Sequence, residues 1–209
     1  MDHTKNAIIA VVVVLLIGIM LWEVGKFAWQ AIPERQTKIT YNNFEFTYLD
    51  QAWYFQWQNK DKIYNVPLRF NPQQVTSIPI HGNELSDEFN NRNEVYVTIN
   101  PEANQTEMTY LGLAKGELLF NLIGPLARKE IDACTKNVTD CIDRPIVTCD
   151  DQNKSVIFLV PKAPTSIGLL NNCIVLQGEG EELTKAVDAL LYRWYNIIPT
   201  ITPQTQQAP

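Results

Sequence analysis

Four cysteines, Cys134, Cys141, Cys149 and Cys173, fall within one forty-residue window, and no two of them are spaced Cys-x-x-Cys. An even number without metal-type spacing is how a two-disulfide framework looks in an oxidising compartment. The expected pairing is Cys134–Cys141, clipping a polar loop around Asn137, and Cys149–Cys173, stapling two strand ends. Zinc and free thiols are the rival readings. Structural zinc draws on closer ligand pairs or on histidines, and the chain has only His3 and His81. A hydroxyl or thiol nucleophile needs a base beside it. His81 is the one histidine outside the N-terminal tail, and Pro79-Ile80-His81-Gly82-Asn83 contains no serine elbow. Carboxylates are harder to judge, because two acids that act together can come from distant positions with no local motif. Asp87-Glu88, Asp140 with Asp143, and Asp150-Asp151 are the visible clusters, and turns favour Asp for backbone reasons alone. No residue is therefore assigned to catalysis, to a cofactor or to a metal.

Three further features carry weaker chemistry. Gly178-Glu179-Gly180 precedes a helix as phosphate loops do, but Glu179, Glu181 and Glu182 crowd its positive end and would repel an anion. Trp53, Phe55 and Trp57 alternate along one strand and share a face. Such a stripe is either half of a hydrophobic core or a platform for sugar or peptide. Asn104, Asn137 and Asn153 stand in glycosylation sequons.

The elements that must position these groups begin with an unbroken apolar run, Ala7 to Trp22. Sixteen residues span about 24 Å as a helix, and the pattern extends past Glu23 and Lys26 toward the ~30 Å of a hydrocarbon slab. Trp22 and Trp29 suit the interface, and Lys26 can snorkel to it. No small-residue cleavage site follows. This reading gives a short cytoplasmic tail over 1–6, a single transmembrane anchor over 7–31 and a tether over 32–37. An extracytoplasmic domain over 38–198 and a disordered Pro/Thr/Gln tail over 199–209 complete it. Flanking charge favours the opposite orientation; the cysteines decide for the outside.

Within the domain, Asn42-Asn43 between Lys38–Tyr41 and Phe44–Tyr48 predicts a tight hairpin. Trp53–Gln58 and Ile63–Leu68 flank a four-residue loop and predict a second. Residues 71–93 read as loop with a helical turn near Gln73–Ser77, and Glu94–Asn100 as a strand. Asn104 with Glu107 makes a capping box for a helix that buries Met108, Leu111, Ala114, Leu118 and Leu122 and ends before Pro125. Arg144–Cys149, Ser155–Val160 and Cys173–Gln177 read as strands. A helix over Glu181–Tyr195 follows, with Leu183, Ala186, Val187, Leu190, Leu191 and Trp194 inward, and Lys185, Asp188 and Arg193 outward. The fold class is α+β: one N-terminal transmembrane helix, antiparallel hairpins, then a βαβββα unit with two helices on one sheet face.

A net charge of −6 at pH 7, evenly mixed, argues against a nucleic-acid partner. The phrases NEVYVTINP, CIDRPIVTCDD and NCIVLQGEGEELTKAVDALLYRWY resemble stretches of uncharacterised archaeal single-pass membrane-anchored proteins. That resemblance implies an anchored domain and brings no activity with it. The sequence reading is thus a non-catalytic binding or scaffolding module of the cell envelope, with the lipid bilayer and an envelope protein or glycan as partners. The alternatives are an extracytoplasmic carboxylate-type hydrolase and a pilin-like filament subunit.

Overall fold

A computed structural model of the chain describes residues 15–23 and 37–199. The chain divides into two units, residues 1–36 and 37–209. In the first, residues 15–23 form a helix, α1. No helix among the described residues is long and apolar enough to cross a membrane. The transmembrane anchor expected over 7–31 is therefore corrected. Its cell-membrane location, its lipid-bilayer partner and the envelope-module reading built on it go with it. Apolar length and interfacial Trp22 carry that expectation in the sequence, whereas Ala7, Lys26 and Trp29 lie outside the described residues. So do the expected tail over 1–6 and nearly all of the expected tether and C-terminal tail.

The second unit starts with an antiparallel meander of four strands, β1 (Thr37–Tyr41), β2 (Phe44–Leu49), β3 (Ala52–Asn59) and β4 (Lys62–Leu68). Asn42 and Asn43 hold φ of 46° and 66°, and Asp50 and Gln51 hold 49° and 64°. Both pairs thus make the left-handed two-residue turns that match strand twist. Short helices α2 (Pro72–Val75) and α3 (Asp87–Asn91) flank strand β5 (Ile80–Gly82). Then come β6 (Glu94–Ile99), α4 (Gln105–Ile123) and β7 (Lys129–Cys134). The chain closes with β8 (Val156–Val160), β9 (Ser166–Leu170), β10 (Cys173–Gln177) and α5 (Glu182–Trp194). Strands β5–β10 form one mixed sheet in the order β5-β9-β10-β8-β6-β7, antiparallel only between β9 and β10.

The βαβββα expectation is thus corrected in its strands. β7 and β9 are present, and Arg144–Cys149 contributes only an isolated bridge from Ile146 to Cys134. Pro145 supplies no N–H to a ladder, and the segment turns away to complete a covering loop. Helix α5 lies between the two sheets. Its Tyr192 and Tyr195 meet the rings of Phe46, Phe55 and Trp57 at 5.1–5.9 Å, and it also packs on β9, β10 and α4. One core therefore runs through the meander, α4, α5 and the near face of the mixed sheet. The far face carries a smaller cluster of Ala133, Val147, Val156 and Cys173. The Cys149–Cys173 disulfide sits there, and Cys134–Cys141 forms the second bridge at the end of β7; both are the expected pairs.

Candidate functional site

Helix α4 begins with the expected capping box. Asn104 Oδ1 accepts from the Glu107 N–H at 3.0 Å, and Glu107 Oε2 accepts from the Asn104 N–H at 2.9 Å. Leu111, Ala114, Leu118, Asn121 and Leu122 are buried. The opposite face is unusual. Gly112 and Gly116 are exposed, and a Cβ built on either would meet nothing within 4 Å. Leu113 and Phe120 flank them, 42% and 54% exposed. Neither close packing nor a positive φ requires glycine here, yet each glycine inside a helix destabilises it by about 1 kcal/mol relative to Ala.

These glycines floor an open cleft of about 520 Å³. Its other walls are the β2–β3 turn at Asp50 and Gln51, and the end of β4 at Pro67, Leu68 and Arg69. Between the two walls stands Glu117. Its Oε1 accepts the backbone N–H of Arg69 at 2.7 Å, while the next amide, Phe70, donates to Asp188 Oδ2 at 2.8 Å. Two consecutive amides leaving β4 are thus held by one carboxyl from α4 and one from α5. The Tyr192 hydroxyl completes the clamp by donating to the Phe70 carbonyl at 2.7 Å. Asn121, beside Glu117, is occupied: it donates to the Glu117 carbonyl at 2.8 Å and accepts from the Tyr195 hydroxyl at 2.6 Å.

Asp188 is fully buried, and its Oδ1 meets no donor among the described residues. The carboxyl within its hydrogen-bonding reach is that of Glu117. Two facing acceptors are satisfied by one shared proton, and two carboxylates in contact cannot both ionise at ordinary pH. Burial pushes the Asp188 carboxyl well above the usual carboxylate range, and the neighbouring Glu117 charge pushes it further; the Phe70 amide and Arg69 charge act against this. Burial also raises Glu117, opposed by its hydrogen bonds to Asp188 and the Arg69 amide and by the Arg69 charge. The proton therefore resides on Asp188, and Glu117 presents the negative charge to the cleft. The Arg69 guanidinium lies nearby, Nε 4.0 Å from Glu117 Oε2. That separation is too long for a hydrogen bond, so the guanidinium keeps its donors free among the described residues while its side chain is 41% exposed.

A second groove of about 430 Å³ lies on the other side of Arg69 and Gln51, walled by Tyr48, Trp53 and Phe70. Trp53 brings the aromatic stripe to its edge. Trp53 and Phe55 are 9% and 2% exposed, Trp57 packs on Tyr195 at 5.1 Å, and the stripe faces the core.

The remaining sequence candidates are dispersed. His81 is exposed on β5. Asp87 and Glu88 sit in the first turn of α3. Asp151 binds the Thr148 amide and Lys154 within its own turn, and Asp140 and Asp143 are exposed. Among the described residues no three metal-ligating side chains converge. At Gly178 a Cβ would come within 2.5 Å of the Glu182 backbone, so that glycine serves a tight strand-to-helix turn. Asn104, Asn137 and Asn153 are all exposed.

The carboxyl pair is not legible in the sequence. Helical spacing puts Asp188 on the outer face of its helix together with Arg193, and that placement is corrected. Both are buried, because α5 has packed neighbours on both sides; Arg193 donates to the Ala189 carbonyl at 2.6 Å. A signal exists in Ala186, Ala189, Leu190 and Tyr192, which wrap apolar surface round most of the helix. No family model, curated protein or solved structure matches the chain. The resemblance to archaeal single-pass proteins is accordingly corrected: it rests on short phrases, and no anchor helix accompanies them among the described residues.

Proposed function

We propose that residues 37–199 form a small-molecule-binding domain whose site is the cleft over the glycine face of α4. The observation that carries this reading is the pair Gly112 and Gly116, which face open space and hold a groove open at the expense of helix stability. A cleft of about 520 Å³ lies within the ordinary range for small-ligand sites. Glu117 on its wall, paired with the buried Asp188 behind it and perturbed in its protonation, is the kind of feature that concentrates at binding and catalytic sites. The reading is independent of any membrane anchor.

The test is a fragment library screened by amide chemical-shift perturbation on the full chain. Hits should move the amides of Arg69, Gly112, Gly116 and Phe120, and Gly116→Leu, which fills the groove, should abolish them while the fold is retained. Hits that cluster elsewhere, or that survive Gly116→Leu unchanged, would refute the reading.

A further inference from the structure

The chemistry of the cleft narrows its occupant, on the premise that the cleft is the binding site. Its wall carries one anionic and one cationic group side by side, Glu117 and Arg69, with Nε and Oε2 4.0 Å apart. They form a long ion pair with no hydrogen bond between them. The Glu117 carboxyl has one amide donor, from Arg69, and is backed by the fully buried Asp188, whose Oδ1 is left without a donor of its own. Opposite charges at this spacing match a molecule bearing ammonium and carboxylate on one carbon. Beyond them the floor is Gly112 and Gly116, and the exposed Leu113 and Phe120 offer apolar surface to a side chain.

We propose that the cleft binds a free α-amino acid with an apolar side chain. The ligand's carboxylate pairs with Arg69, its ammonium with Glu117, and its side chain lies over Gly116 between Leu113 and Phe120. Asp188 is a positioning residue: its proton is donated to Glu117, which fixes that carboxyl and leaves its charge for the ammonium. The charged and titratable groups facing this pair are Arg69 at the end of β4, Tyr192 on α5 and, at the rim, Asp50 in the β2–β3 turn. None supplies a second cation, so the ammonium has no built-in competitor except Arg69, which the ligand carboxylate engages. Affinity should fall as pH falls through the range in which Glu117 takes up a proton.

Calorimetric titration of the full chain with L-phenylalanine, phenethylammonium and 3-phenylpropionate at pH 7.5 tests this. Phenylalanine should bind at least tenfold more tightly than either single-charge probe. Arg69→Gln should reduce phenylalanine to the level of phenethylammonium. Glu117→Gln should reduce it to the level of 3-phenylpropionate. Arg69 is a surface side chain, so its variant remains decisive even where Glu117→Gln fails to fold. Equal binding of all three probes, lost in Gly116→Leu, would overturn the amino-acid assignment and leave the cleft reading intact. No phenylalanine binding up to about 10 mM, a free energy weaker than about −3 kcal/mol, would overturn the assignment too; a fragment screen empty at these residues would overturn both.

Discussion

Replacing the two open glycines of α4 by alanine should stabilise the protein. A Cβ at Gly112 or Gly116 meets nothing within 4 Å, so neither substitution creates a clash. What remains is the propensity gain of Ala over Gly inside a helix, about 1 kcal/mol at each site. The two positions share no side-chain partner, so the gains should add to about 2 kcal/mol. For a domain of this size that raises Tm by roughly 4–8 °C. Gly178→Ala is the internal control, because its Cβ would lie 2.5 Å from the Glu182 and Leu183 backbone; it should destabilise by at least about 1 kcal/mol. Calorimetric melts and urea titrations of the three variants give these values directly. Should Gly112→Ala and Gly116→Ala prove neutral or destabilising, α4 would not be open at those positions. The two glycines would then not floor a cleft.

Asp188→Asn keeps an acceptor for the Phe70 amide and supplies Glu117 with a permanent donor. Because the folded pair holds a proton that the unfolded chain releases, wild-type stability should drop as pH rises above the ordinary carboxylate range. The slope for one proton is at most about 1.4 kcal/mol per pH unit. The variant's profile should be flatter, and parallel profiles would exclude the shared proton. Reduction should destabilise the domain through both disulfides, and unequally. The Cys149–Cys173 bridge closes 24 residues and Cys134–Cys141 closes 7, which predicts losses of about 3.5 and about 2.5 kcal/mol by chain entropy. Urea melts of the two double Cys→Ser variants measure them, and an inverted order would contradict the estimate.

Local chemistry is readable wherever it is self-contained. Asn42-Asn43 announces its hairpin, Asn104 with Glu107 announces the start of α4, and the cysteines announce two disulfides, whose favoured pairing among the three possible is the one observed. β7 and β9 are not readable in this way. Lys129-Glu-Ile-Asp-Ala-Cys carries three charges and exists as a strand through pairing with β6, from Glu94 opposite Lys129 to Ile99 opposite Cys134. Ser166–Leu170 contains Gly168, and its register on β10 brings that glycine opposite Val175. Asp188 is misplaced by a one-sided helical stripe, which assumes packing on one side, whereas α5 is packed on both sides. The glycines of α4 are visible in the sequence, two in one helix at a spacing of four, and their meaning appears only once nothing is found to pack against them. The apolar run near the N-terminus carries the largest error: its length and its interfacial tryptophan suggest a span, yet no helix among the described residues is long and apolar enough to cross a membrane.

Both the cleft's charge and its ligand selectivity depend on one proton held between Glu117 and Asp188. Carboxyl ¹³C chemical shifts, followed through a pH titration of ligand-free protein, observe it most directly. The account predicts that Asp188 holds its proton well above the ordinary carboxylate range and that the two signals shift together as Glu117 ionises above its usual range. Two independent titrations, both with midpoints near the ordinary carboxylate value of about 4, would contradict it.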